Sequence, residues 1–443
     1  MTTMVRILGS RAREQVPGTS ITLLAPGFSG SLTQLAPGPA GGTGFDLPFT
    51  EAAAGADVML AAQLNLQLHA RMTERVSGLR SRSAVVGHPR IIAPRRAGVA
   101  YALLQTDETG ASSFLAPMST DHGEAVFPLS IAARGHTRRT LRVLMWPELP
   151  STGPGSLAVA ARWERLRRPH ELLQWSATGW RPFEAASRMS GPILLLLHDT
   201  FSTGPAAFAQ WTRHDSFREV AARYQDRCVA FTHPTLSAGL EENLQWLMTT
   251  LAGLPGPFDV VAHGRGGLLA RALAVDGKLP LRRVCQLGTP NQGTALANEV
   301  QLPRFLDAHV AMLARTNHEV ALGTLEGALC LARCMAQGLR ASLPGVEVLT
   351  PESAPLRALA DFRSPRLQWF TVGAQFEPLD GHGLEAFGRL LHEPPDDGVV
   401  PTKGCHEPGI PVNDQLQLAG RAHHHHNYFS SDRVRNALAH WLA

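Results

Sequence analysis

The chain has 443 residues, 44% of them hydrophobic and 18% charged, with a formal net charge of +4. That length accommodates two or three domains of roughly 100–200 residues each, and the composition supports large packed cores and excludes bulk disorder. Arginines scattered rather than blocked, together with 6% aromatic residues, argue against a nucleic-acid partner.

Residues 1–50 are rich in Gly, Pro, Ser and Thr; one short strand is expected at Ile21–Leu24 and a loop at Pro37–Gly44. Glu51–Leu79 carries Ala, Leu, Met and Gln without proline, which predicts a helix. These residues form a loop and helix segment over 1–80. Between Ser83 and Trp146, short apolar runs such as Val99–Leu104 and Leu141–Trp146 alternate with turn signals. That spacing predicts a β-rich module over 81–147. The Pro- and Gly-rich stretch 148–156 reads as a linker.

Residues 157–443 alternate strands and helices. Strands are expected at Val159–Arg167, Leu172–Trp175, Ile193–Leu197, Cys228–Phe231, Phe258–Val261, Arg283–Leu287 and Leu367–Val372. Helices are expected at Phe208–Tyr224, Leu240–Leu251, Gly267–Asp276 and Asp432–Leu442, with a helical pair at 303–341. The fold class is therefore α/β, a doubly wound, mostly parallel sheet with a helical insertion, preceded by a small β-rich N-terminal module. The insertion is a candidate lid.

Cys228, Cys285, Cys330, Cys334 and Cys405 are odd in number and contain no C-x-x-C pair, which points to a reducing, cytoplasmic setting. Cys330 and Cys334, one helical turn apart, are expected on a buried helix face. The longest aliphatic run, Ile193–Leu197, is far shorter than the ~20 residues of a membrane span. His423–His426 are consecutive and so cannot all face one ion. No metal or other cofactor is expected.

Four strand-end segments carry chemical interest. The first is His198-Asp199-Thr200-Phe201-Ser202 after the aliphatic strand. The second is Ala262-His263-Gly264-Arg265-Gly266-Gly267, a strand-to-helix turn that lacks the serine of a nucleophile elbow. The third is Thr289-Pro290-Asn291-Gln292-Gly293-Thr294. The fourth pairs Asp396-Asp397-Gly398-Val399-Val400-Pro401 with His424-His425-His426-Asn427-Tyr428-Phe429. Nucleophile position, acid and histidine thus occur in the order Gly264, Asp397, His425.

With His233-Pro234-Thr235-Leu236-Ser237, these segments make the region from about residue 190 onward resemble the lipase/esterase branch of the α/β-hydrolase superfamily. The likeness is to a poorly characterised bacterial group within it. The resemblance implies Asp397 as triad acid and His425 as base, with His424 the next candidate. It also implies backbone N–H groups of Thr200 and Arg265 in an oxyanion hole. His263 and Arg265 are expected to be structural.

Two departures fall at the chemistry. Gly264 stands at the nucleophile position, and Asp199 replaces the glycine beside the oxyanion hole, where a carboxylate opposes a developing oxyanion. Three readings follow. The first is a degenerate hydrolase that binds a small acyl or ester ligand or a protein partner. The second is a hydrolase using water activated by His425 and Asp397. The third is an ordinary esterase altered only by Ser→Gly, in which a Gly264→Ser change restores the nucleophile.

Overall fold

The computed structural model describes residues 4–35, 46–70, 88–108, 112–119, 123–129, 136–148, 155–184, 190–298, 301–313, 316–336, 343–359, 367–377, 395–406 and 411–443. The chain divides into two compact units, Met1–Gly153 and Pro154–Ala443. The loop expected at Pro37–Gly44 and most of the linker at 148–156 lie outside the described residues.

The first unit contains strands β1 (Met4–Ile7), β2 (Glu14–Gln15), β3 (Thr22–Leu24), β4 (Phe28–Leu35), β5 (Met59–Ala70), β6 (Arg90–Pro94), β7 (Val99–Asp107), β8 (Ser112–Leu115), β9 (Met118–Ser119), β10 (Glu124–Pro128) and β11 (His136–Pro147). They form two antiparallel sheets, ordered β1-β4-β5-β11-β7-β8 and β2-β3-β6-β10-β9. Ile21, Leu23, Ile91 and Phe127 of one sheet and Leu64, Leu66, Leu103 and Val143 of the other share a core, so the sheets stack as a sandwich.

Two expectations are corrected here. Glu51–Leu79 is not one helix: a helix ends at Gly55 and β5 follows. Within β5, Leu64, Leu66 and Leu68 are fully buried while Gln63, Asn65 and Gln67 alternate with them, so the two-residue period outweighs helix propensity. The described residues 4–35 hold four strands rather than one, because antiparallel partners supply hydrogen bonds that local composition does not reveal.

The second unit is built on β12 (Glu171–Ser176), β13 (Gly179–Pro182), β14 (Ile193–Leu197), β15 (Cys228–Thr232), β16 (Phe258–His263), β17 (Leu281–Leu287), β18 (Gln368–Phe376) and β19 (Asp414–Gly420). The sheet order is β13-β12-β15-β14-β16-β17-β18-β19. All pairs from β15 to β19 are parallel, and β12 and β13 form an antiparallel edge. Every residue of β14, β15 and β16 is buried, as parallel strands covered by helices require. Phe208, Trp211, Phe217, Val434 and Leu438 pack on Leu194, Leu196, Val261 and Val372. This is a doubly wound α/β arrangement, with Gly264, Asp397 and His425 following β16, β18 and β19.

The strand expected at Val159–Arg167 is instead part of a helix, Gly155–Arg167. Its buried positions, Val159, Ala160, Trp163 and Glu164, recur with helical period. The insertion provides helices Leu302–Ala311 and His318–Ala336. Cys330 and Cys334 are buried on the second of these. Among the described residues, no helix is long and apolar enough to cross a membrane.

Candidate active site

The carboxyl ends of β14, β16, β17, β18 and β19 bring the four segments together, where open α/β sheets place their sites. After β16 the chain turns at Gly264, with φ 50° and ψ −124°, directly into helix Arg265–Asp276. This is a sharp strand-to-helix turn, the geometry that a nucleophile elbow requires. The Arg265 guanidinium is fully buried and donates to the carbonyls of Gly345 (3.0 Å) and Ala238 (2.9 Å), which anchors the start of the helix.

The acid loop follows β18. Asp397 Oδ1 accepts from the amides of Val399 (3.0 Å) and Val400 (2.7 Å), and Oδ2 accepts from the Tyr428 hydroxyl (2.8 Å). The Thr294 hydroxyl donates to Val399 O at 2.9 Å, which gives the third segment a positioning role. Gly288, at φ 56°, lets the acid approach: a Cβ there would lie 2.7 Å from the Tyr428 ring and 3.0 Å from Asp397 Oδ2.

His425, after β19, donates from Nδ1 to Asp397 Oδ2 at 2.7 Å. The structure thus places His425 on the acid. His424 instead accepts at Nδ1 from the His426 amide at 3.3 Å and donates its own amide to Asn427.

Asp199 completes the site. Its Oδ2 accepts from His425 Nε2 at 2.9 Å and its Oδ1 accepts from the Arg265 amide at 2.7 Å. In a working serine site the first donor faces the nucleophile and the second faces the oxyanion. A Cβ on Gly264 would lie 1.9 Å from Asp199 Oδ1, so the carboxylate occupies the space a serine side chain needs. A Gly264→Ser change alone therefore sets the new side chain against the Asp199 carboxylate.

The loop bearing Asp199 is held by the first segment and by the His-Pro-Thr-Leu-Ser stretch. His198 donates from Nδ1 to Asp199 O at 2.7 Å, and its Nε2 accepts from the His233 amide at 3.0 Å. Buried Glu164 accepts from the amides of Thr235 (2.6 Å), Leu236 (2.8 Å) and Ser237 (2.7 Å). Thr200, beside Asp199, is buried with its hydroxyl unpartnered among the described residues.

Asp199, Gly264, Asp397 and His425 are all buried. Helix Leu302–Ala311 of the insertion covers them: the His309 ring packs edge-on to His425, centroids 5.8 Å apart, and its Nδ1 hydrogen-bonds His426 Nε2 at 3.1 Å. Burial alone would lower the His425 pKa, but Asp397 and Asp199 outweigh it and push it up to about 10. Burial would likewise raise both carboxylates, yet the charge of His425 and its hydrogen bonds hold Asp199 and Asp397 below the usual range. The result is an imidazolium between two carboxylates. Burial pushes His263 down to about 4 and His309 down to about 3. Among the described residues, Asp199, His263 and His425 form a group that could hold a metal ion.

The structure brings the sequence-predicted pair Asp397 and His425 within 2.7 Å, but the sequence did not reveal the contact of Asp199 with both His425 and the Arg265 amide. The available signal was the joint departure at positions 199 and 264.

A family model described as Domain of unknown function (DUF7379) matches residues 162–443. The chain belongs to that family. No curated protein sequence matches it. Among solved structures, it is similar to mature lipase BlEst2 from Bacillus licheniformis, with 16% identity and a TM-score of 0.38 over 57% of this chain and 92% of that one. It is also similar to the enol-lactonase from Burkholderia xenovorans LB400, with 16% identity and a TM-score of 0.38 over 62% and 96% of the two chains. Lipase 1 from Pelosinus fermentans has 12% identity and a TM-score of 0.39 over 56% and 97%.

Proposed function

We propose that this protein is a degenerate serine hydrolase, kept as a binding module for a small acyl- or ester-type ligand or a protein partner. One observation carries the reading: the Asp199 carboxylate stands where the serine side chain would, joined to His425 Nε2 and the Arg265 amide. A carboxylate there supplies no hydroxyl for acyl transfer and repels the oxyanion that the amide would otherwise stabilise. The water mechanism needs a bare lone pair on His425 Nε2, and that nitrogen is engaged by Asp199, which counts against it. The third reading requires only a lost CH2OH group, whereas the second departure fills the vacated space. Five buried cysteines outside any disulfide support a reducing compartment, and we infer the cytoplasm of a bacterium.

The pair of departures defines the experiment. Wild type, Asp199→Gly, Gly264→Ser and the double variant are treated with a fluorophosphonate probe and short p-nitrophenyl esters. The double variant is expected to be labelled and to hydrolyse ester at least ~10²-fold faster than wild type, since nucleophile loss costs about 10⁶ in a serine protease. Wild type and both single variants are expected to stay unlabelled. Ester turnover by wild type equal to that of the double variant would refute the reading.

A further inference from the structure

We propose that Asp199, His263 and His425 form a binding site for a divalent transition-metal ion of the zinc class. One ligand atom from each residue lies within 4.8 Å of the other two, and all three residues are buried. Zinc with bonds of about 2.0–2.2 Å spaces tetrahedral ligand atoms about 3.3–3.5 Å apart. That spacing falls between the 2.9 Å of the Asp199–His425 contact and the 4.8 Å limit of the group. Side-chain shifts on the order of 1 Å therefore seat the ion.

The imidazoles are already held as ligands usually are, with the outer nitrogen tied to a carboxylate or carbonyl so that tautomer and ring plane are fixed. His425 Nδ1 is bound to Asp397 at 2.7 Å, and His263 Nε2 donates to His425 O at 2.8 Å. His425 Nε2 and His263 Nδ1 are then the coordinating nitrogens.

A second observation comes from the insertion. His309 is 1% exposed, its Nδ1 is engaged by His426, and its Nε2 has no partner among the described residues. Its ring stands edge-on to His425, centroids 5.8 Å apart, so an unpartnered imidazole nitrogen lies in the same buried cluster. A dication there neutralises the buried carboxylates of Asp199 and Asp397. The four residues come from separate parts of the chain, and only one belongs to the histidine run. That is why no metal spacing is visible in the sequence. The inference does not depend on the loss of acyl transfer, and its test measures metal rather than ester hydrolysis.

Full-length protein is stripped with chelator, incubated with zinc, desalted, and assayed for metal and melting temperature. The expected result is about one zinc per chain and a raised Tm. Asp199→Asn and His263→Gln are each expected to cut retained zinc at least ~tenfold, while His423→Gln, in the same histidine run, leaves it unchanged. Cobalt(II) added to unmodified protein supplies a readout independent of variant folding: the visible absorption of a tetrahedral site is expected. Less than about a tenth of a zinc per chain with unchanged Tm overturns the proposal. So does absence of the tetrahedral cobalt bands, or zinc that survives His263→Gln and is lost with His423→Gln.

Discussion

At the residue scale, positions 199 and 264 behave as one unit. Gly264 has no side chain, and the Asp199 carboxylate enters the space left, reaching both the elbow amide and the histidine. Either change alone meets a physical obstacle. A Cβ at 264 would sit 1.9 Å from Asp199 Oδ1 on a backbone with φ of 50°. Gly264→Ala is thus expected to destabilise the protein by about 2–4 kcal/mol, from strain and overpacking. In an Asp199→Gly background the same change is expected to cost at least ~1 kcal/mol less, because the clashing atoms are gone. Urea denaturation of the four proteins in this cycle measures the difference. Additivity within about 0.5 kcal/mol would show that the two positions act independently.

At the element scale, most of the parallel strands and their helices were legible, and the antiparallel module was partly so. The strand Ile193–Leu197 and the helix Leu240–Leu251 have the bounds expected from sequence. An unbroken aliphatic run and a long proline-free amphipathic stretch each favour one state. The segment 51–79 misled because Ala, Leu, Met and Gln suggest a helix, while Gln63 to Leu68 alternates strictly and pairs on both sides with β4 and β11. Strand β19 was missed because it is polar and at the sheet edge, with Leu418 as its one buried residue. The pairing of Asp397 with His425 was legible through their order along the chain. The Asp199 contact was not, because it joins a loop after β14 to an elbow 66 residues further on, and only the folded sheet brings these together.

At the scale of the whole molecule, the buried charge cluster links folding to pH. His425 is raised from 6.5 to about 10 in the folded state. Its contribution is therefore complete below about pH 6.5 and is lost as pH climbs through about 10. His263 and His309, lowered to about 4 and about 3, act in the opposite sense. The unfolded chain takes up their protons first as pH falls below about 6.5, so acidification costs stability. The stability advantage of wild type over His425→Gln is accordingly expected to shrink between about pH 7 and about pH 10 in thermal melts. An advantage constant over that range would place the His425 charge outside the folding balance. The central claim, that Asp199 has taken the place of the nucleophile and holds His425 as an imidazolium, is tested most directly by nitrogen-15 NMR of histidine-labelled, metal-free protein. Both ring nitrogens of His425 are predicted to be protonated at about pH 7.5, with a titration midpoint near 10. A bare nitrogen at that pH, with a midpoint near the ordinary value of about 6.5, would contradict the account.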